Sequence, residues 1–243
     1  MKIDLDPDPE PDHVTGFDRR LLIRSAALLG LGGLAASGLA RKASALVPQL
    51  PHARANRLLE SYCQLSPSQT QGPYWLNLQL LRQDITEGLP GLTLYLFLRV
   101  VQKIGAECYP LPGAIVDVWH ANAPGQYSGF ASQGTAGQTW LRGIQATSQA
   151  GDVVFRTIYP GWYPGRATHV HVRVTLSGLP HLTSQLYFPD AFSAQVYQSP
   201  PYLAHGQNPT TNMTDGIFDQ DMLMGVMPLQ GGAYVAGKTI VVP

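Results

Sequence analysis

The segment Arg166-Ala167-Thr168-His169-Val170-His171-Val172-Arg173-Val174 sets two imidazoles two residues apart inside a strict alternation of valine. Side chains on a strand alternate faces, so His169 and His171 share one face and Val170, Val172 and Val174 take the other. Two imidazoles about 7 Å apart along a strand can converge on one metal ion. An amphipathic strand with its polar face in water shows the same pattern, and the pair by itself leaves both readings open. The remaining donors decide what a bound metal could do. No Asp or Glu lies between His171 and Asp190, which argues against the two-histidine-one-carboxylate site of iron(II) enzymes. The only two cysteines, Cys63 and Cys108, lie well upstream, so a cysteine-rich structural zinc site is not indicated either.

Tyrosine is what surrounds the pair. Tyr159-Pro160-Gly161-Trp162-Tyr163-Pro164-Gly165 leads directly into it, and Gly125-Gln126-Tyr127-Ser128-Gly129 stands earlier. A phenol with a pKa near 10 is protonated at neutral pH, so only a strongly Lewis-acidic cation holds it as phenolate. Iron(III) meets that condition, because hard oxygen donors suit its charge and two phenolates cancel much of it. Tyrosine beside Pro and Gly is also an ordinary amphipathic loop residue with a buried ring and a wet hydroxyl. Two other functions therefore stay open on these residues: a metal-free β-sandwich binding module, and a protein holding zinc or copper on the histidines alone.

The elements that must position these residues read as strands. Residues 92–101 alternate and are rich in β-formers; 114–120 follow and end in the turn chemistry of Asn122-Ala123-Pro124-Gly125. Residues 141–147 and 153–158 flank Gln149-Ala150-Gly151-Asp152, a hairpin signal. Residues 169–176, 184–188 and 239–242 complete the set, and 189–235 read as long loops with a short helix over 191–198. The expected fold is all-β, an antiparallel β-sandwich with long loops and few short helices. The domains expected are 1–45 as an export signal, 46–70 as a tether with a short helix over 53–62, and 71–243 as one β-sandwich domain.

Charge and composition exclude several partners. Lys plus Arg and Asp plus Glu both total 16, which leaves no electrostatic footprint for nucleic acid or an anionic membrane surface. Arg19 and Arg20 precede sixteen residues, 25–40, of Ala, Leu, Gly and Ser, and Ala43-Ser44-Ala45 then offers a small-residue cleavage pattern. This is the layout of a twin-arginine export signal, with a mature start near Leu46, although a retained anchor has a similar composition. A membrane span normally needs about 18 or more apolar residues in a row. The expectation is a periplasmic or extracellular protein with no stable span after processing. In an oxidising compartment two cysteines predict a Cys63–Cys108 bridge, the alternative being two buried free thiols.

These segments resemble the intradiol ring-cleavage dioxygenases, the family of protocatechuate 3,4-dioxygenase and catechol 1,2-dioxygenase. The resemblance runs from Cys63 almost to the C-terminus. It is carried by Thr70-Gln71-Gly72-Pro73-Tyr74-Trp75, by Val116-Asp117-Val118-Trp119-His120-Ala121-Asn122-Ala123 leading to Tyr127, by Phe155-Arg156-Thr157-Ile158-Tyr159-Pro160-Gly161-Trp162-Tyr163-Pro164, by Arg166 to His171, and by Gln185-Leu186-Tyr187-Phe188. It implies that Tyr127, Tyr163, His169 and His171 ligate one Fe(3+), with Tyr163 also taking a proton from a catechol-like substrate whose ring is opened with O2. It further implies that Arg166 steadies negative charge on the ring and that Gln185 lines the site. Gln71 departs from the Glu common in the family, and Ala121 from the Cys of many exported relatives. The helical dimerisation segment of the catechol 1,2-dioxygenase branch has no counterpart, so the likeness is to the protocatechuate-type core.

Overall fold

The computed structural model describes residues 55–59 and 63–243. The expected export signal and cleavage point lie outside the described residues, as do residues 46–54 and 60–62 of the expected tether. The strand β1 (Thr93–Ile104) organises the first sheet. On one edge it pairs in parallel with β9 (Tyr234–Val242), which continues antiparallel to β8 (Gly225–Pro228). Its other edge is divided between β5 (Asp152–Ile158), antiparallel along Thr93–Arg99, and β2 (Glu107–Pro110), which folds back on Val101–Ile104. The second sheet contains β3 (Ile115–Trp119), β4 (Arg142–Ala146), β6 (His169–Leu176) and β7 (Leu179–Tyr187). Its order is β4-β3-β6-β7 and every pair in it is antiparallel. One short helix, α1 (Asp190–Val196), and several 3-10 turns interrupt the long stretch that follows β7. This is the all-β sandwich expected, with a parallel β1–β9 pair inside an otherwise antiparallel design.

The core lies between the sheets. Leu94, Leu96, Leu98 and Val100 of β1 and Phe155 of β5 meet Val116 and Val118 of β3, Val170, Val172 and Val174 of β6, and Leu186 of β7. Fully burying an aliphatic side chain contributes roughly 1.5–3 kcal/mol. A one-residue slip of β6 would turn all three valines outward, so their burial fixes which face the histidines occupy. That face is the outer one of the second sheet.

Several elements differ from expectation. The hairpin expected around 149–152 does not form: the turn is present, with Gly151 at φ +78° donating to the Ser148 carbonyl at 2.9 Å, but it carries the chain from β4 in one sheet to β5 in the other. The cause is visible at Gly151, whose carbonyl accepts from the Val100 amide at 2.8 Å and so delivers β5 to β1. Short edge strands β2 and β8 were not expected, because Pro, Gly and polar residues dilute their pattern. Of the helix expected over 53–62, the described residues contain one 3-10 turn, Asn56–Leu58.

Cys63 and Cys108 are bonded, with Cα atoms 5.6 Å apart, so the incoming chain is fastened to β2. From there it runs as an irregular strap. Ser66 donates to the Val241 carbonyl at 3.0 Å, Gln69 to the Thr183 carbonyl at 2.8 Å, and the Pro67 carbonyl accepts from the Ser184 hydroxyl at 2.7 Å. These bonds lay 70–75 over the outer face of the second sheet. The bridge spans 45 residues, a loop whose closure entropy stabilises by about 4 kcal/mol in the chain-entropy model. Replacing both cysteines by serine should lower the unfolding free energy by about 2–4 kcal/mol, read from urea denaturation midpoints.

Candidate metal centre

His169 and His171 project from β6 as their spacing predicts, both almost fully buried. The Nδ1 of His169 lies 2.7 Å from the Ala167 carbonyl, so that nitrogen carries the proton and Nε2 presents the lone pair. His171 is clamped as a plane: Trp119, its cross-strand partner on β3, stacks on it at 4.9 Å with 3° between rings. Gly72 covers its edge, where a Cβ would stand 3.3 Å from the ring.

The tyrosines arrive from two loops that interlock. Tyr127 belongs to the β3–β4 connection and Tyr163 to the β5–β6 connection. At the crossing Gly161 donates to the Asn122 carbonyl at 3.1 Å, and a Cβ on Gly161 would sit 2.3 Å from the carbonyl oxygens of both Asn122 and Ala123. Gly125, at φ +86°, meets the Trp162 carbonyl, where a Cβ would lie 2.0 Å from the oxygen. Backbone therefore packs on backbone at two points, and only glycine fits either. The result brings four donors together. His169 Nε2 is 3.2 Å from His171 Nε2, 3.3 Å from the Tyr163 hydroxyl and 3.4 Å from the Tyr127 hydroxyl.

Burial, followed by the neighbouring Tyr163, pushes the Tyr127 phenol well above its ordinary pKa, and burial raises Tyr163 too, against the pull of Arg166. Burial and then Arg166 bring His169 down to about 3, and burial and then His169 hold His171 well below the usual imidazole value. Left alone, the cluster is two phenols and two neutral imidazoles. A cation placed among them would reverse the phenol shifts and use the imidazole lone pairs as they stand. Metal–donor bonds of about 2.0–2.1 Å put adjacent donors roughly 3 Å apart, the spacing found here. Among the described residues no group of three or more His, Cys, Asp or Glu could hold a metal. A metal held at this cluster would have phenol oxygens beside the imidazoles among its donors, a set that suits a hard, highly charged ion.

Arg166 and Gln185 stand beside the cluster. One Arg166 nitrogen, Nη1, is 3.4 Å from the Tyr163 hydroxyl; Nη2 donates to Gln185 Oε1 and lies 3.4 Å from the Tyr187 hydroxyl. Gln185, level with His171 across the β6–β7 pair, is fully buried, and its amide also donates to the Thr70 carbonyl at 3.0 Å. Tyr74 from the strap stacks on Tyr127 at 4.4 Å and meets Tyr163 edge-on at 6.1 Å, so its ring walls the cluster.

Known proteins share this arrangement of segments. The family model described as "Dioxygenase" matches residues 70–198, more than half of the chain and all six of the residues singled out from the sequence. The chain belongs to the intradiol ring-cleavage dioxygenase family. An intradiol ring-cleavage dioxygenase from Tetranychus urticae superposes with a TM-score of 0.68 at 28% identity, over 74% of this chain and 94% of that one. The dioxygenase domain of a carbohydrate-binding fusion protein from Streptomyces sp. SirexAA-E does so with a TM-score of 0.57 at 32% identity, over 73% and 97%. Chlorocatechol 1,2-dioxygenase of Rhodococcus opacus is 33% identical over 98 residues, which is 32% of this chain and 38% of that protein. The chain thus matches well under half the length of this curated relative.

Within this family's fold, Trp119, Tyr74 and Tyr187 adjoin the site without having been singled out, although each lies in a segment the sequence marks. Asp215 was not legible at all: it sits in the irregular stretch after β7, with no periodicity and no motif around it.

Two outcomes follow. Gly161→Ala must move the Asn122–Ala123 backbone away, drawing Tyr127 from Tyr163; it should cost about 1–3 kcal/mol of stability and, after incubation with ferric iron, lower the metal retained per chain relative to wild type, measured by metal analysis. The second concerns acid. His120, buried on the Ala121 carbonyl and Thr157, is held down to about 4 by burial, and joins His169 and His171 as imidazoles kept neutral by the fold. The unfolded chain takes up these protons near pH 6.5, so their contribution is complete above 6.5 and is lost as pH falls toward 4 and below. Asp117, raised to about 6 by burial, works the other way between about 6 and 3.8, but is one group against three. The metal-free protein should therefore lose urea resistance steadily from pH 6.5 to 4; a flat profile would contradict the buried neutral imidazoles.

Proposed function

We propose that the protein is a non-haem iron(III) dioxygenase that opens a catechol-type ring between its two hydroxyl-bearing carbons, both atoms of O2 entering a muconate-type dicarboxylic acid. The single observation that supports it most is the meeting of Tyr127, Tyr163, His169 and His171 within 3.2–3.4 Å around His169 Nε2. A ferric ion held by these four side chains would bind the two catechol oxygens and make the ring reactive toward dioxygen. The protein's own residues do the rest. Tyr163, half-buried and bordered by Arg166, would take a catechol proton on its oxygen once held there as phenolate. The Arg166 guanidinium is placed to stabilise negative charge developing on the ring, and a fixed cation does this without reorganising. Tyr74, Trp119 and the buried sheet face exclude water.

The export reading belongs with this proposal. Arg19-Arg20 and Ala43-Ser44-Ala45 support a folded, iron-loaded protein crossing by the twin-arginine route, and no helix among the described residues is long and apolar enough to cross a membrane. The Cys63–Cys108 bridge fits an oxidising compartment.

Iron-loaded protein should be reddish from tyrosinate-to-iron absorption and should consume oxygen with one or more of catechol, protocatechuate and hydroxyquinol, yielding the intradiol acid on product analysis. Arg166→Ala should keep the colour and lose turnover by about 100-fold or more. Colourless protein that binds only zinc or copper, or coloured protein inert to all three substrates, would refute the proposal.

A further inference from the structure

Arg166 lies in the short connection before β6, where no ladder of backbone bonds holds it. Its orientation comes instead from the stretch after α1. Asp215 is the central partner: its side chain is 1% exposed, and the Arg166 Nε–H points at both its oxygens, at 3.0 and 3.2 Å. The carboxylate is itself held independently of the arginine. The Ala167 amide donates to Oδ2 at 2.9 Å and the Ile217 amide to Oδ1 at 2.9 Å. Asn208 adds a bond to the Arg166 carbonyl at 3.0 Å. With Nε on Asp215 and Nη2 on Gln185 and Tyr187, the planar guanidinium has no freedom to turn, and its Nη1 is left facing the Tyr163 hydroxyl.

The guanidinium is largely buried against the Asp215 carboxylate, whose side chain is 1% exposed. Close to a trivalent cation an uncompensated guanidinium would be driven out toward water. We infer that Asp215 is the positioning residue of the site: it neutralises Arg166, fixes the plane of its guanidinium and aims the remaining N–H groups at the reacting ring. The residue lies beyond the segment 70–198 matched by the family model. This inference rests on the role proposed for Arg166.

The test is a double-mutant cycle on the iron-loaded full chain, read by oxygen uptake with the catechol it turns over fastest. Asp215→Asn should lower kcat by about 10- to 100-fold, the cost of a misaimed group. KM should stay within about threefold, because the interaction is made in the transition state. Iron content and visible absorption should be unchanged, and Asp215→Glu should recover part of the rate. In an Arg166→Ala background, Asp215→Asn should have no further effect, since the group it positions is gone. Wild-type turnover in Asp215→Asn, or an equal loss with and without Arg166, overturns the inference and leaves the proposed function standing. Loss of iron or of cooperative unfolding in Asp215→Asn would make Asp215 a structural loop residue and overturn it too. Iron-loaded wild type that consumes no oxygen with any catechol removes both the function and this assignment.

Discussion

Two phenols and two imidazoles meet where three of the four are almost fully buried and Tyr163 is half-buried, and that one fact organises the rest of the molecule. Burial favours the neutral form of all four, so the cluster by itself carries no charge and needs no counter-ion. The same burial makes phenolate costly unless a strong positive charge arrives to stabilise it. Under the proposed reading the site would select by charge: an ion able to displace the phenol protons would gain two anionic oxygen donors and two imidazole lone pairs together, and a weaker ion would meet two protonated phenols.

The fold supplies this cluster from two kinds of element with different tolerances. The histidines stand on β6, whose register is held by Val170, Val172 and Val174 on the core side; moving one imidazole would mean moving the strand. The tyrosines stand on loops, where precision has to come from contacts made across the chain. It comes at Gly125 and Gly161, where the two loops lock backbone to backbone, and at the strap 70–75, which lays Gly72 on His171 and Tyr74 on Tyr127. Cys63–Cys108 fastens the start of that strap to β2. Around Arg166 the same logic recurs: a side chain off the sheet is fixed from two separate places, by Gln185 and Tyr187 on β7 and by Asp215 in the stretch after α1.

Legibility in the sequence follows that division. The outward face of β6 could be read from His169-Val170-His171-Val172 because a strand's period is a property of neighbouring residues. Strands β1, β3, β5 and β6 were recognisable for the same reason, close to their observed limits. Residues 149–152 show where local reading stops: the turn chemistry was right, but whether a turn joins paired strands or crosses between sheets depends on what its carbonyls bond, here Val100 of β1. Tyr127 looked like any loop tyrosine, and only its likeness to a family segment marked it. Asp215, 49 residues beyond Arg166, left no local trace.

The sequence by itself determined which atoms could serve as ligands, which face of β6 carries them, the all-β class and the family. The face of β6 and the all-β class follow from spacing within one element, and the family and the four candidate donors from likeness across several segments. Tertiary structure alone decided that four donors from three segments share one point, that glycines at 125 and 161 let their loops meet, and that a distant carboxylate holds the arginine. Such contacts are made across long stretches of chain, where closure is governed by the packing of the whole sandwich rather than by any local preference.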